Sequence, residues 1–235
     1  EIKYLIKYNT TSQNRAVTVQ DYKVKLMQMP PKYGAPYRNT VIENNNKIEM
    51  SFLGLNADGK LDSGLPQTLV ENVLEYMSHF KQINDYIEIR SGRIYNIGVE
   101  LDVFIDKNYN SGNVVKNVID VVYDYFNVDT RDMGEDIFVG DLEKEITLVD
   151  GVLRLIKLRI FKIWNGTYST DICPLTEAVN TDACDRSDPS VFKVEGGESK
   201  EIDLDAIEHV LYGDYNSMYE IKYPNTDIQL RVKLK

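Results

Sequence analysis

Two histidines, two cysteines and a scatter of acidic clusters are the groups with chemical potential in this 235-residue chain, and none has catalytic or metal-ligand spacing. His79 and His209 each fall in a stretch that reads as helix, without a companion at ligand distance, so both are expected to be structural or surface residues. Cys173 and Cys184 flank the ten residues 174–183. They either close a loop as a disulfide or stay as free thiols; with no other mark of secretion, free thiols in a reducing cytoplasm are the better reading. Neither cysteine has the strand–turn–helix setting that would pair it with a histidine as a nucleophile. Carboxylates gather at Asp132/Glu135/Asp136, Asp182/Asp185/Asp188 and Asp203/Asp205. None follows the calcium-loop pattern D-x-[DN]-x-[DN]-G with a closing Glu, so they read as solvated loop charge. Gly54, Gly59 and Gly64 form no phosphate-cradling loop and read as turn residues. Asn9-Thr10-Thr11 and Asn165-Gly166-Thr167 match a glycosylation acceptor, which matters only in a secreted protein. The expectation is no catalytic, cofactor-binding or metal-binding residue.

The elements around these groups are more legible. Ile97, Val99, Leu101, Val103 and Ile105 alternate strictly, which predicts a half-buried strand with one face in a core. Ser111-Gly112-Asn113 offers an N-cap ahead of Val114, Val115, Val118, Ile119, Val121, Val122, Tyr125 and Phe126, a wide helical stripe. A second helix is expected at 141–149, and Asp150-Gly151 turns the chain into a strand at 152–164. Ahead of this unit come a strand at 1–8 and a helix from the Thr18/Asp21 capping box to about Met29, stopped by Pro30-Pro31. Strands at 40–43 and 47–55 follow, joined across Asn44-Asn45-Asn46, then a helix at 66–81 and a strand at 86–89. After Trp164 the stretch 165–200 is rich in Asp, Ser, Thr, Gly and Pro and shows little periodicity. A short helix at 202–211 and a terminal hairpin, 218–223 with 228–234, complete the reading. The fold class is α+β: small mixed or antiparallel sheets with amphipathic helices packed on one face. Two subdomains, 1–92 and 93–166, are followed by a loop-rich extension, 167–235, carrying the β-hairpin. Because Glu1 opens inside the apparent strand Ile2, Tyr4, Ile6, Tyr8, the chain reads as a fragment or processed product.

A net charge of −10 argues against nucleic-acid binding, which needs a basic face to release counterions. No apolar run approaches the roughly 20 residues that span a bilayer. Sixteen tyrosines against seven phenylalanines and one tryptophan lean toward an interface-rich protein. Among them Tyr4, Tyr8, Tyr33, Tyr37, Tyr212, Tyr215, Tyr219 and Tyr223 fall in strand edges, loops or the tail.

Two stretches carry a family resemblance. Asn14-Arg15-Ala16-Val17-Thr18-Val19-Gln20-Asp21-Tyr22, with the Pro-rich and hairpin segments behind it, resembles the middle of phage baseplate proteins of the J-like family. The part from Ile97 to Trp164 resembles that family's C-terminal region, through Asp136-Ile137-Phe138-Val139-Gly140-Asp141-Leu142 and Leu148-Val149-Asp150-Gly151-Val152. The whole chain is also similar to the C-terminal part of the large baseplate wedge subunits of T4-like contractile-tailed phages. Residues 165–235 depart from the J-like pattern, so nothing is inherited for them. The resemblance implies a structural, non-enzymatic virion protein without cofactor. Such a protein forms a homodimer, binds other baseplate wedge proteins and links wedges into the ring around the tail hub after assembly in the host cytoplasm. It implies no nucleic-acid, membrane or small-molecule partner. The competing expectations are a monomeric peptide-binding module using the terminal hairpin edge and a carboxylate-based hydrolase.

Overall fold

The computed structural model describes residues 15–34, 36–45, 47–171, 197–205 and 207–234. The strand expected at 1–8, with Tyr4 and Tyr8, lies outside the described residues, as do Asp182, Asp185, Asp188 and both cysteines. The chain divides into two compact units, Glu1–Arg93 and Ile94–Lys235. Helices and small mixed sheets make both, so the class is α+β.

In the first unit, helix α1 (Val19–Met27) starts on the capping box read from the sequence. The Asp21 amide donates to Thr18 Oγ1 at 3.2 Å, and Asp21 Oδ2 accepts the Thr18 amide at 2.9 Å. Strands β1 (Arg38–Asn44) and β2 (Lys47–Leu55) pair antiparallel, with Asn45 in the left-handed region at φ 48°. The two-residue β3 (Leu61–Asp62) pairs with the end of β2. Helix α2 (Gln67–Ser78) then supplies the crossover that lets β4 (Tyr86–Ser91) run parallel to β2. Met50, Phe52, Val73 and Met77 are fully buried together with Tyr22 in one core.

The second unit is built on β5 (Arg93–Ile105), with Ile97, Val99, Leu101, Val103 and Ile105 wholly buried. Helix α3 (Ser111–Tyr125) lays Val114, Val118 and Val122 on that face. A short strand β6 (Ile137–Phe138) leads into helix α4 (Val139–Thr147), which adds Val139, Leu142 and Ile146. Strand β7 (Val152–Trp164) returns antiparallel along β5, and β8 (Glu198–Glu201) pairs with its last residues. The register between β5 and β7 slips twice, passing over Ile156 and Leu153, so each is the extra residue of a bulge. Strand β9 (Val210–Leu211) pairs with β6. Strand β10 (Ser217–Glu220), the one-turn helix α5 (Pro224–Asp227) and strand β11 (Ile228–Leu234) end the chain.

Four expectations change. The terminal hairpin does not form, because both of its arms attach to β5: β10 beside its first residues, and β11 parallel from Ile228 opposite Val99 to Leu234 opposite Ile105. Pro224 opens a helical turn between them, and the Asp227 carboxylate accepts the Tyr223 amide at 2.8 Å, where a hairpin would need a tight reversal. No helix forms among the described residues of 202–211. Asp203 caps the Asp205 amide as a turn, and Glu208 and His209 take φ of 54° and 59°, which end any helix and deliver Val210–Leu211 to β6. The cap of α3 is Asn110, one residue earlier than read, its Oδ1 accepting the Gly112 amide at 2.9 Å.

The fourth change concerns β5 itself. Its second face does not look to water: Asn96 and Glu100 are buried there. Phe161, Ile163 and Tyr168 cluster on that side. Glu100 is held by Arg159 of β7 and, at 2.7 Å, by Arg231 of β11. A strand with neighbours on both edges can cover a polar face with the long side chains of those neighbours.

Candidate interaction surface

The candidate catalytic groups are placed first. The Asp132/Glu135/Asp136 cluster lies in the loop between α3 and β6, and its carboxylates serve the loop. Glu135 takes Arg131 at 2.8 Å and the Asp132 amide at 3.1 Å; Asp136 takes the Gly213 amide at 2.8 Å. Two glycines let this loop lie backbone to backbone on the segment after β9. A side chain at Gly134, which has φ 77°, would meet Tyr215 Cα at 2.9 Å, and one at Gly213 would meet the Glu135 carbonyl oxygen at 2.8 Å. The pair Gly134 and Gly213 carries no signal of its contact in the sequence until the fold joins them.

Asp203 and Asp205 make an exposed turn, and His209 Nε2 lies 3.4 Å from Asp205. His79 ends α2 as an exposed cap residue. Among the described residues no three His, Cys, Asp or Glu side chains converge as a metal site.

The Glu135 loop borders a cleft of about 610 Å³ in the second unit, lined by Tyr125, Arg131, Phe138, Asp141, Lys144 and Leu148 among others. Helix α3 ends at Tyr125, whose hydroxyl donates to the Phe138 carbonyl at 2.7 Å and so fixes the start of α4. Arg131 stacks 4.5 Å over the Tyr125 ring, with Nε donating to the Tyr125 carbonyl at 3.0 Å. Burial pushes the Tyr125 phenol above its ordinary pKa, and Asp141 and Glu145 push the same way against the opposing pull of Arg131. It stays a neutral donor, unsuited to act as a base. On the rim stand Phe138, 53% exposed, and Leu148, 72% exposed. Large apolar side chains this open at the mouth of a cleft mark a surface for another chain. Within the cleft Arg131 and Glu135 are bonded to each other and Asp136 to the Gly213 amide, while Asp141, Lys144 and Glu145 stand exposed beside the open apolar Phe138 and Leu148.

The tyrosines divide. Tyr33, Tyr212, Tyr215 and Tyr223 are exposed, whereas Tyr219 is buried and donates to the Tyr212 carbonyl at 2.8 Å. Tyr168, not singled out in the sequence, donates at 2.7 Å to Asp227, which is wholly buried and ties the segment after β7 to the turn before β11.

No family model matches this chain, and no curated protein matches it either. Among solved structures, a chain from the cryo-EM structure of the anti-feeding prophage baseplate is similar at 11% identity with a TM-score of 0.45. The match covers 63% of this chain and 34% of that one, so the present chain spans about a third of the baseplate chain. Among the described residues no helix is long and apolar enough to cross a membrane.

Proposed function

We propose that this chain is a structural part of a phage tail baseplate. It forms a homodimer, binds other baseplate wedge proteins and helps link wedges into the ring around the tail hub. Two grounds support the reading: the J-like and T4-like sequence resemblance, and the open apolar Phe138–Leu148 rim of a cleft in the second unit. The second is the observation that carries it. An assembly protein needs apolar anchors presented by rigid elements, and α4 with its Tyr125 brace supplies them. The chain acts without cofactor, and its place is the virion tail, reached after assembly in the host cytoplasm. A carboxylate hydrolase is disfavoured because Glu135 and Asp136 spend their oxygens on Arg131 and on backbone amides.

The test is to purify tails of the phage that encodes the chain and locate the protein by mass spectrometry of isolated baseplates. Stoichiometric presence supports the reading. A chain found only in the lysate, never in the particle, overturns it.

A further inference from the structure

The outer edge of β7 is only partly paired. Strand β8 covers Phe161–Trp164, the Ile202 amide donates to the Ile160 carbonyl at 2.8 Å, and the chain then leaves in the turn at 203–205. A cleft of about 400 Å³ opens where they part, between Lys157–Arg159 and the segment 201–205 with His209. Residues 153–157 on that edge have no strand partner among the described residues. An unpaired edge presents a row of amides and carbonyls to any extended chain that reaches it.

The side chains on this strip say which chain fits. Leu153 and Ile156, the two bulge residues, are exposed at 53% and 38%. Arg154 and Lys157 are exposed, and among the described residues neither has an ion pair, whereas Arg159 two residues on is held by Glu100 and faces Glu201. A chain of net charge −10 thus keeps two basic side chains without a salt bridge among the described residues on a strand edge, Lys157 standing opposite Asp102 of β5. A second copy is a poor occupant, because self-pairing brings two Arg154 and two Lys157 side chains onto one short ribbon, and the antiparallel register centred between Leu155 and Ile156 sets Arg154 directly against Lys157 of the other copy. Of the acidic side chains across the cleft, Glu201 faces Arg159, Asp205 faces His209, and Asp203 accepts the Asp205 amide.

We infer that residues 153–157 of β7 receive an extended acidic segment of a partner protein by strand addition. The partner's backbone completes the edge, its carboxylates meet Arg154 and Lys157, and its apolar residues cover Leu153 and Ile156. Bulges and basic residues also guard edges against self-pairing; the guard and the docking strip differ in whether an acidic strand is admitted. This inference stands on the strand edge and not on the Phe138–Leu148 rim, so either can fail alone.

The experiment uses the full chain and two labelled probes, peptides of about eight residues alternating Glu with Val or Lys with Val. Fluorescence anisotropy measures binding, and hydrogen exchange measures protection of amides 153–157. The Glu peptide is expected to bind and to protect the strip, the Lys peptide not to bind, and Arg154→Glu with Lys157→Glu to weaken the Glu peptide at least about tenfold. Both substitutions are exposed, and an unchanged circular dichroism spectrum certifies the fold. Equal binding of the two peptides, absence of protection at 153–157, or unchanged affinity in the double variant overturns the inference.

Discussion

The two units share a plan at their central strands. Strand β2 has an antiparallel neighbour, β1, on one edge and a parallel one, β4, on the other; β5 has antiparallel β7 and parallel β11. Each carries a buried glutamate, Glu49 or Glu100, facing an arginine of the parallel neighbour. The offset is the same: Arg90 lies opposite Ser51 and Arg231 opposite Asp102, each two residues beyond its glutamate. The difference lies on the antiparallel side. Opposite Glu49 stands Ile42, and Arg90 pairs with Glu49 at 3.7 Å while Asn44 adds an amide bond at 3.3 Å. Opposite Glu100 stands Arg159, and Glu100 is clamped between two guanidinium groups. Arg90 is 48% exposed at its side chain, Arg159 only 13%. A buried carboxylate can thus be held by a partner in water or by one inside the protein, and the consequence of losing that partner should differ greatly.

The sharpest way to break this contrast is Arg159→Ala. It leaves Glu100 buried with only the mostly solvated Arg231, and a loss of about 3–5 kcal/mol is expected in denaturant unfolding, with faster hydrogen exchange along β5. A loss under about 1 kcal/mol would mean that Arg231 alone satisfies Glu100.

The helix caps give a smaller contrast. Helix α1 is capped through a carboxylate, Asp21, and α3 through the neutral Asn110. Burial alone would raise the Asp21 pKa, but the Thr18 and Val17 amides and the Thr18 hydroxyl outweigh it and hold it below the ordinary 3.8. The stabilisation is complete above that ordinary value and is lost as pH falls through the lowered native one. Asp21→Asn should cost about 1 kcal/mol at neutral pH. The deficit should close in acid, as a pH series of unfolding midpoints would reveal. A deficit that persists unchanged at low pH would show that the carboxylate charge is irrelevant.

Arg90→Ala is the smallest expected effect, within about 1 kcal/mol, because its charge is largely solvated and Asn44 remains on Glu49. If its effect matched that of Arg159→Ala, the difference in burial between the two arginines would not matter.

The same two units show what a sequence can disclose. The first was legible because its pieces are local: a capping box, a diproline stop, an Asn turn, a helical stripe. In the second, the alternation of β5 and the stripes of α3 announced themselves, since period two and period 3.6 act within a few residues. The parallel pairing of β11 with β5 did not, for the alternation of Ile228, Leu230 and Val232 is the same whichever neighbour it takes. Nor did the burial of Glu100, which depends on arginines 59 and 131 positions away (159 − 100 and 231 − 100). The surface was half legible. Phe138 and Leu148 stand in the very motifs that carry the baseplate resemblance, but their exposure depends on Tyr125 anchoring α4 and on the Gly134–Gly213 contact that sets the loop beside them.

The assembly role is tested most directly by light scattering over roughly 1–100 μM, a range in which modest interfaces dissociate. The chain itself and a Phe138→Ser/Leu148→Ser variant would be compared. Both side chains are exposed, so the variant should unfold at nearly the same denaturant concentration. The expected result is a dimer for the natural chain and a monomer for the variant. A natural chain that is monomeric throughout, or a dimer indifferent to both substitutions, would contradict self-association through this surface.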